Sequence, residues 1–281
     1  MTTTPAPGVL TAAYWNDVGG GAWVENQALL DRINQPVGDI IAGRADPGAG
    51  SRVLDVGCGA GATTLDMARR VGPDGLCLGV DVSEALLELA RQRARSEVVG
   101  NVDFVRADAA THDFGGPVFD AAISRYGVMF FEDPDAAFAN LRRAVRPGGG
   151  LTFACWRSAA ENPLTLVPLE AAAPFLSEPP KAPADAPGRF AFADPDKVRG
   201  ILDRGGWRRI AVEPLDVATP VSLDELLTLS LKLGLLGTLL PRQDETVRRQ
   251  VAEAVAARLE SHVVNGMVPM TAACWLVTAA A

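Results

Sequence analysis

Three carboxylates, Asp55, Asp81 and Asp108, recur about 25 residues apart, each at or next to the end of a short apolar run. The first run, Val53-Leu54-Asp55-Val56, leads into glycines at 57, 59 and 61, and then into a helical pattern of Leu65, Met67, Ala68 and Val71. A buried parallel strand, a glycine turn and a helix N-terminus let a ligand lie against bare backbone. In an open parallel sheet, ligands bind at the carboxyl ends of the strands, near the switch in strand order. Acids gathered there attract a cationic guest, an ammonium or a sulfonium, and repel a pyrophosphate. The register Gly57-x-Gly59-x-x-Ala62 also fits the dinucleotide fingerprint, so on the glycines alone a nicotinamide dinucleotide stays open.

The elements that must position these residues alternate as a doubly wound fold demands. Strands are predicted at 51–56, 76–81, 102–107, 118–124 and 151–156, with helices at about 61–71, 84–97 and 133–145 between them. Ser83 is placed to cap the second helix, and Asp133-Pro134 the third. Seven prolines between Pro168 and Pro195 then break the pattern, which reads as an ordered, irregular insertion. A helix over about 194–204, a strand over 207–217, two helices near 222–240 and 243–262 and a strand over 272–278 complete the chain. The expected fold is α/β, Rossmann-like and doubly wound: a mostly parallel seven-stranded sheet, helices on both faces and a cap insertion.

A chain of 281 residues with 48% hydrophobic and 21% charged residues is long enough for one large domain with ample core. Its net charge of −8 disfavours nucleic acid, whose phosphates call for a basic face, and favours a small-molecule partner. The four cysteines, Cys58, Cys77, Cys155 and Cys274, are far apart and read as reduced thiols, neither a disulfide frame nor a zinc site. With only His112 and His262 present, no metal site is expected. No charged n-region marks a signal peptide, and the most apolar stretch, Leu223–Leu240, is interrupted by Ser230 and Lys232, so no membrane span and a cytoplasmic location are expected. That stretch suits a cap helix or a homodimer surface.

The sequence Val-Leu-Asp-Val-Gly-Cys-Gly-Ala-Gly at 53–61 closely resembles the first motif of the class I S-adenosylmethionine-dependent methyltransferases. Gly79-Val80-Asp81-Val82-Ser83, Arg106-Ala107-Asp108-Ala109-Ala110 and the run from Phe119 to Phe131 are similar to the following motifs of that family. The resemblance is strong over 45–157, looser over 12–36, 190–217 and 265–279, and points to the family's small-molecule branch. It implies a cofactor site of Trp23, Asp55, Gly57, Cys58, Gly59, Asp81, Val82, Asp108, Ala109 and Ser124. Asp81 would accept the two ribose hydroxyls, Asp108 the adenine amine, Asp55 would orient the methionine ammonium through the turn, and backbone at the end of strand four, at Ser124, would face the sulfonium. Tyr126, Met129 and Phe130 would border the methyl acceptor, or else pack the next helix. The implied division is a helical lid over 1–44, a cofactor core over 45–157, substrate caps over 158–206 and 220–265, and final strands over 207–217 and 268–279.

The sulfonium already makes the methyl group electrophilic, so transfer to O, N or C of a small, partly apolar metabolite is an in-line displacement. The protein must then align the partners in a dry site. A general base is needed only for a protonated nucleophile, and His112, His262 and Tyr126 are its candidates by type. Two other readings stand beside this one. The first is an NAD(P)-dependent oxidoreductase, against which the chain has no Tyr-x-x-x-Lys. The second is a methyltransferase fold that binds the cofactor without transferring methyl.

Overall fold

The computed structural model describes residues 12–16, 18–176 and 187–281. Three helices come first: α1 (Ala12–Asn16), α2 (Val18–Glu25) and α3 (Gln27–Ala45). The sheet then begins with β1 (Arg52–Val56), α4 (Ala62–Val71), β2 (Leu76–Asp81), α5 (Glu84–Ser96), β3 (Val102–Arg106), β4 (Phe119–Arg125), α6 (Pro134–Ala144) and β5 (Val145–Trp156). After it come α7 (Val167–Ala172), α8 (Pro195–Arg204), β6 (Arg208–Ala218), α9 (Leu223–Lys232), α10 (Gly234–Leu239), α11 (Glu245–Glu260) and β7 (Thr271–Ala280).

The seven strands lie in the order β3-β2-β1-β4-β5-β7-β6, parallel from β3 to β5, with β7 antiparallel to both of its neighbours. The expected fold class is therefore the observed one. The order reverses between β1 and β4, which sets the carboxyl ends of β1 and β4 side by side at the crevice where such sheets bind ligands. Val53, Leu54 and Val56 of β1 are buried with Val37 and Ile41 of α3 and with Phe138 and Leu141 of α6 in one central core. Trp207 is fully buried there, and its Nε1 donates to Phe138 O at 2.9 Å. A second core belongs to α7, α9, α10 and α11: Val167, Leu226, Leu236, Val251 and Val255 pack among themselves. This is where the apolar 223–240 stretch goes.

Two boundaries and one capping bond depart from the sequence reading. Strand β5 starts at Val145, paired with Phe119, and the register then jumps to Ala121 opposite Gly150, so Arg146–Gly149 bulge out. Gly148 takes φ +85°, a left-handed conformation that glycine adopts freely. The helix expected over 222–240 breaks after α9, because Gly234 sits at φ +62° and starts α10 on a new axis. Ser83 occupies the N-cap of α5, but its hydroxyl makes no capping bond and is buried without a partner. Part of the proline-rich stretch, 177–186, lies outside the described residues, as does the N-terminal 1–11.

Candidate functional site: a cleft over the switch point

The glycine turn is held by its own backbone. Gly57 N and Cys58 N both donate to Val80 O at 2.8 and 3.1 Å, Gly59 N donates to Asp81 Oδ2 at 2.8 Å, and Gly61 N donates to Cys58 O. A diphosphate needs free amides in such a turn, and here four of them are already committed. Gly57 and Gly127 meet backbone to backbone: a Cβ on Gly57, whose φ is +67°, would lie 2.7 Å from Gly127 Cα. Ser124 clips the same junction, its hydroxyl donating to Val56 O at 2.7 Å and accepting from Gly127 N at 3.1 Å.

The side chains of two residues implied by the resemblance, Asp55 and Ser124, lie beneath the turn and not in the cleft. Asp55 is fully buried, and its Oδ2 accepts from Thr63 Oγ1 at 2.5 Å and Thr64 Oγ1 at 2.7 Å. It thereby puts an acid at the N-terminus of α4, whose N-cap is a glycine with no side chain to offer. Burial raises its pKa, and the two hydroxyls pull it back down. Ser124 is also fully buried, and neither side chain lines the cleft. Their strand positions dictate this. Asp55 pairs with Gly79, two rungs below Asp81, and Ile123, just before Ser124, pairs with Asp55.

A cavity of about 560 Å³ opens above the turn, and the other residues implied by the resemblance line it: Trp23, Gly57, Cys58, Gly59, Asp81, Val82, Asp108, Ala109, Tyr126, Met129 and Phe130. Asp81 accepts from Gly59 N on one oxygen and from Ser83 N, at 2.9 Å, on the other. Each oxygen therefore keeps a lone pair for a further donor, which suits a vicinal diol. Burial raises the Asp81 pKa, and the backbone donors oppose it. Asp108, in a turn closed by Ala110 N at 2.9 Å, is exposed at the rim of this end. Acids at the edge and a turn without spare amides fit a cationic, diol-bearing ligand such as S-adenosylmethionine better than a dinucleotide.

The opposite end lies over β4 and β5. Tyr126 follows β4 at φ +69° and stacks on Trp156 at 5.1 Å, with 25° between the ring planes. Its hydroxyl lies 3.5 Å from Cys274 Sγ. Burial pushes the Cys274 thiol up to about 11 and the Tyr126 phenol well above its ordinary value, so neither is ionised near neutrality. Met129 accepts from Trp156 N through sulfur and from Gly188 N through its carbonyl. The helices at the N-terminus close one side: Trp15 sits edge-on between Trp23 and Phe130, and Tyr14 Oη accepts from Gly234 N at 3.0 Å.

Of the candidate bases, His112 and His262 do not line the cavity. Among the described residues its wall contains no histidine and no lysine. It does contain charged residues that sequence reasoning missed: Asp31, Arg125, Glu132 and Arg189. Asp31 is bound by Gln27 Nε2 and by Arg93 Nη1 at 3.0 Å, and Arg93 also donates to Ala60 O, which ties α3 to the turn. Only Arg125, the last residue of β4, gave a usable signal by its place at a strand end.

Residues 53–149 match the family model described as "Methyltransferase domain". Aklanonic acid methyltransferase DauC of Streptomyces sp. (strain C5) is 31% identical over 136 residues, which are 47% of this chain and 62% of that protein. The ubiquinone/menaquinone biosynthesis C-methyltransferase UbiE of Pasteurella multocida is 33% identical over 119 residues, 42% of this chain and 44% of its own. The chain thus spans less than two thirds of these relatives. Among solved structures, the [4+2]-cyclase SpnF superposes with a TM-score of 0.58 at 20% identity, over 99% of this chain and 98% of that one, a likeness that speaks for the fold alone. Over residues 53–149 the chain thus carries a methyltransferase domain, and its motifs, strand order and acid-edged cleft are similar to those of the class I S-adenosylmethionine-dependent methyltransferases.

Proposed function

We propose that the chain transfers the methyl group of S-adenosylmethionine to O, N or C of a small, partly apolar metabolite. The observation that carries this reading is the single cleft with two unlike ends, an acidic one over β1–β3 and an aromatic and aliphatic one over β4 and β5. The printed names of the relatives, methyltransferases of aklanonic acid and of quinone biosynthesis, agree with an acceptor of that kind. S-Adenosylmethionine, when bound, supplies a methyl group activated by its sulfonium. Asp81 takes the ribose hydroxyls, Asp108 the adenine amine, and Ala109, Val82, Cys58 and the glycines at 57 and 59 give the surface between them. Asp55 and Ser124 act one layer below, by fixing the turn.

The N-terminal helices α1–α3 serve as a lid and the α7 and α9–α11 segments as caps. Trp15, Trp23 and Phe130 exclude water, which sharpens the alignment on which an in-line displacement depends. Among the described residues the wall holds no histidine or lysine, and the Tyr126 phenol keeps its proton. The acceptor therefore brings its own nucleophilic lone pair instead of losing a proton to an imidazole. Four buried free cysteines support a cytoplasmic setting, and the net charge of −8 supports a small-molecule partner over nucleic acid. No helix among the described residues is long and apolar enough to cross a membrane.

Calorimetry with S-adenosylhomocysteine tests the reading. The wild-type chain binds it, and Asp81→Ala lowers the affinity at least 100-fold while the fold, followed by circular dichroism, persists. Normal affinity in Asp81→Ala, or failure of the wild type to bind, overturns it.

A further inference from the structure

We propose that Arg189 anchors an anionic oxygen group of the methyl acceptor, a carboxylate or an ionised enol or phenol. The inference deepens the function proposed above and rests on it for which end of the cleft holds the acceptor.

Arg189 enters the cavity from the turn after the proline-rich stretch. Its guanidinium lies over the Trp156 ring, 5.3 Å from the centroid, and Trp156 is in turn stacked on Tyr126. Stacking on an indole orients the flat guanidinium without using its donors. Among the described residues those donors meet no carboxylate, and no ion pair or hydrogen bond engages Arg189. The groups that act on its charge are Tyr126 and Tyr14, and both phenols stay neutral because burial raises their pKa values. Arg189 is exposed, and it lines the cavity wall.

The other charges of the wall do not neutralise it. Asp81 and Asp108 stand at the far end, Asp31 is bound to Arg93 and Gln27, and Glu132 is exposed and follows Phe131 beyond β4. A guanidinium held against an aromatic ring at the cavity wall, with its donors unengaged among the described residues, offers a charged ligand oxygen a two-point contact. The cleft is thus polarised, negative where the cationic cofactor belongs and positive where the acceptor belongs. An acceptor ionised before it enters also has no need of a general base.

The test uses the full chain saturated with S-adenosylhomocysteine and three probe pairs: benzoate, 2-naphthoate and decanoate, each against its neutral amide. Binding is followed by calorimetry and by tryptophan fluorescence, since Trp156 lies under the proposed anion site. The expected result is at least a tenfold preference of the wild type for one or more carboxylates over the matching amide. Arg189→Gln abolishes that preference, and Arg189→Lys, which keeps charge but not the planar fork, retains part of it. S-Adenosylhomocysteine affinity, at the other end, stays within twofold in both variants. Equal affinity for acid and amide in the wild type, no binding of any carboxylate, or a preference that survives Arg189→Gln overturns the proposal. Should the wild type fail to bind S-adenosylhomocysteine, it is the methyltransferase reading that falls.

Discussion

Asp55, Asp81 and Asp108 look equivalent in the sequence, yet they occupy three heights on the sheet. Asp55 pairs with Gly79, Asp81 with Arg106, and Asp108 lies two residues beyond Arg106, so each acid sits about two rungs above the one before. Two rungs are roughly 7 Å of strand, enough to move a carboxylate from beneath the turn to the cleft. Sequence shows which strand ends in an acid but not the inter-strand register, and this is why Asp81 and Asp108 were legible as cleft residues and Asp55 and Ser124 were not. The buried position has a titration consequence. Asp55 has a raised pKa in the folded chain, so folding favours its protonated form, and the charge opposes folding as pH rises from the unfolded value through the folded one. Asp55→Asn keeps an acceptor for Thr63 and Thr64 and has no such charge. Its stability relative to wild type is expected to improve as pH rises across that window, measured by urea unfolding at a series of pH values; a flat difference would contradict the assignment. Gly57→Ala must fit a Cβ 2.7 Å from Gly127 Cα at positive φ. A loss of roughly 1–3 kcal/mol is expected in the same assay.

Strand existence follows from apolar runs and turn residues, and apart from the early start of β5 the strand bounds were readable to within two residues. What was not readable depended on contacts between elements distant in the chain. The break between α9 and α10 is one case: Leu223–Leu240 looks like one amphipathic helix, but Gly234 turns left-handed and hands its N–H to the Tyr14 hydroxyl, 220 residues away. Arg189 is another, since a lone arginine in an aperiodic loop signals nothing until Trp156 is found beneath it. Tyr14→Phe removes the acceptor of the Gly234 amide. It is expected to cost about 1 kcal/mol and to speed hydrogen exchange at Gly234 and the residues after it, while exchange in β1 and β2 is unchanged. Gly20→Ala tests the packing of α2 in the same way, because a Cβ there would lie 2.8 Å from Ser83 Oγ and 2.2 Å from Trp15 O. Loss of α1 and α2 protection is the expected signature.

At the scale of the whole molecule, two cores share one cleft. The central core carries the sheet and the second core carries the α7 and α9–α11 helices. Between the N-terminal helices and the helices of the second core run Tyr14–Gly234 and two ion pairs at the surface, Arg32–Glu225 at 2.6 Å and Lys232–Glu25 at 3.1 Å. Exposed pairs of this kind contribute little each and fade with salt, so closure rests mainly on the aromatic contacts and on what the cleft contains. S-Adenosylhomocysteine at 100 times its dissociation constant is expected to add about 2.7 kcal/mol to the unfolding free energy. The added exchange protection should appear in α1, α2 and the 57–61 turn and leave α8 and β6 unaffected.

The backbone contact of Gly57 with Gly127, clipped by Ser124, also limits how this protein can diversify. A change on either side of that junction disturbs both partners of the reaction together, so selection for a new acceptor finds no independent handle there. The helices resting on their own core do offer one. Descendants of this chain should therefore differ in the roof of the cleft long before they differ in its floor.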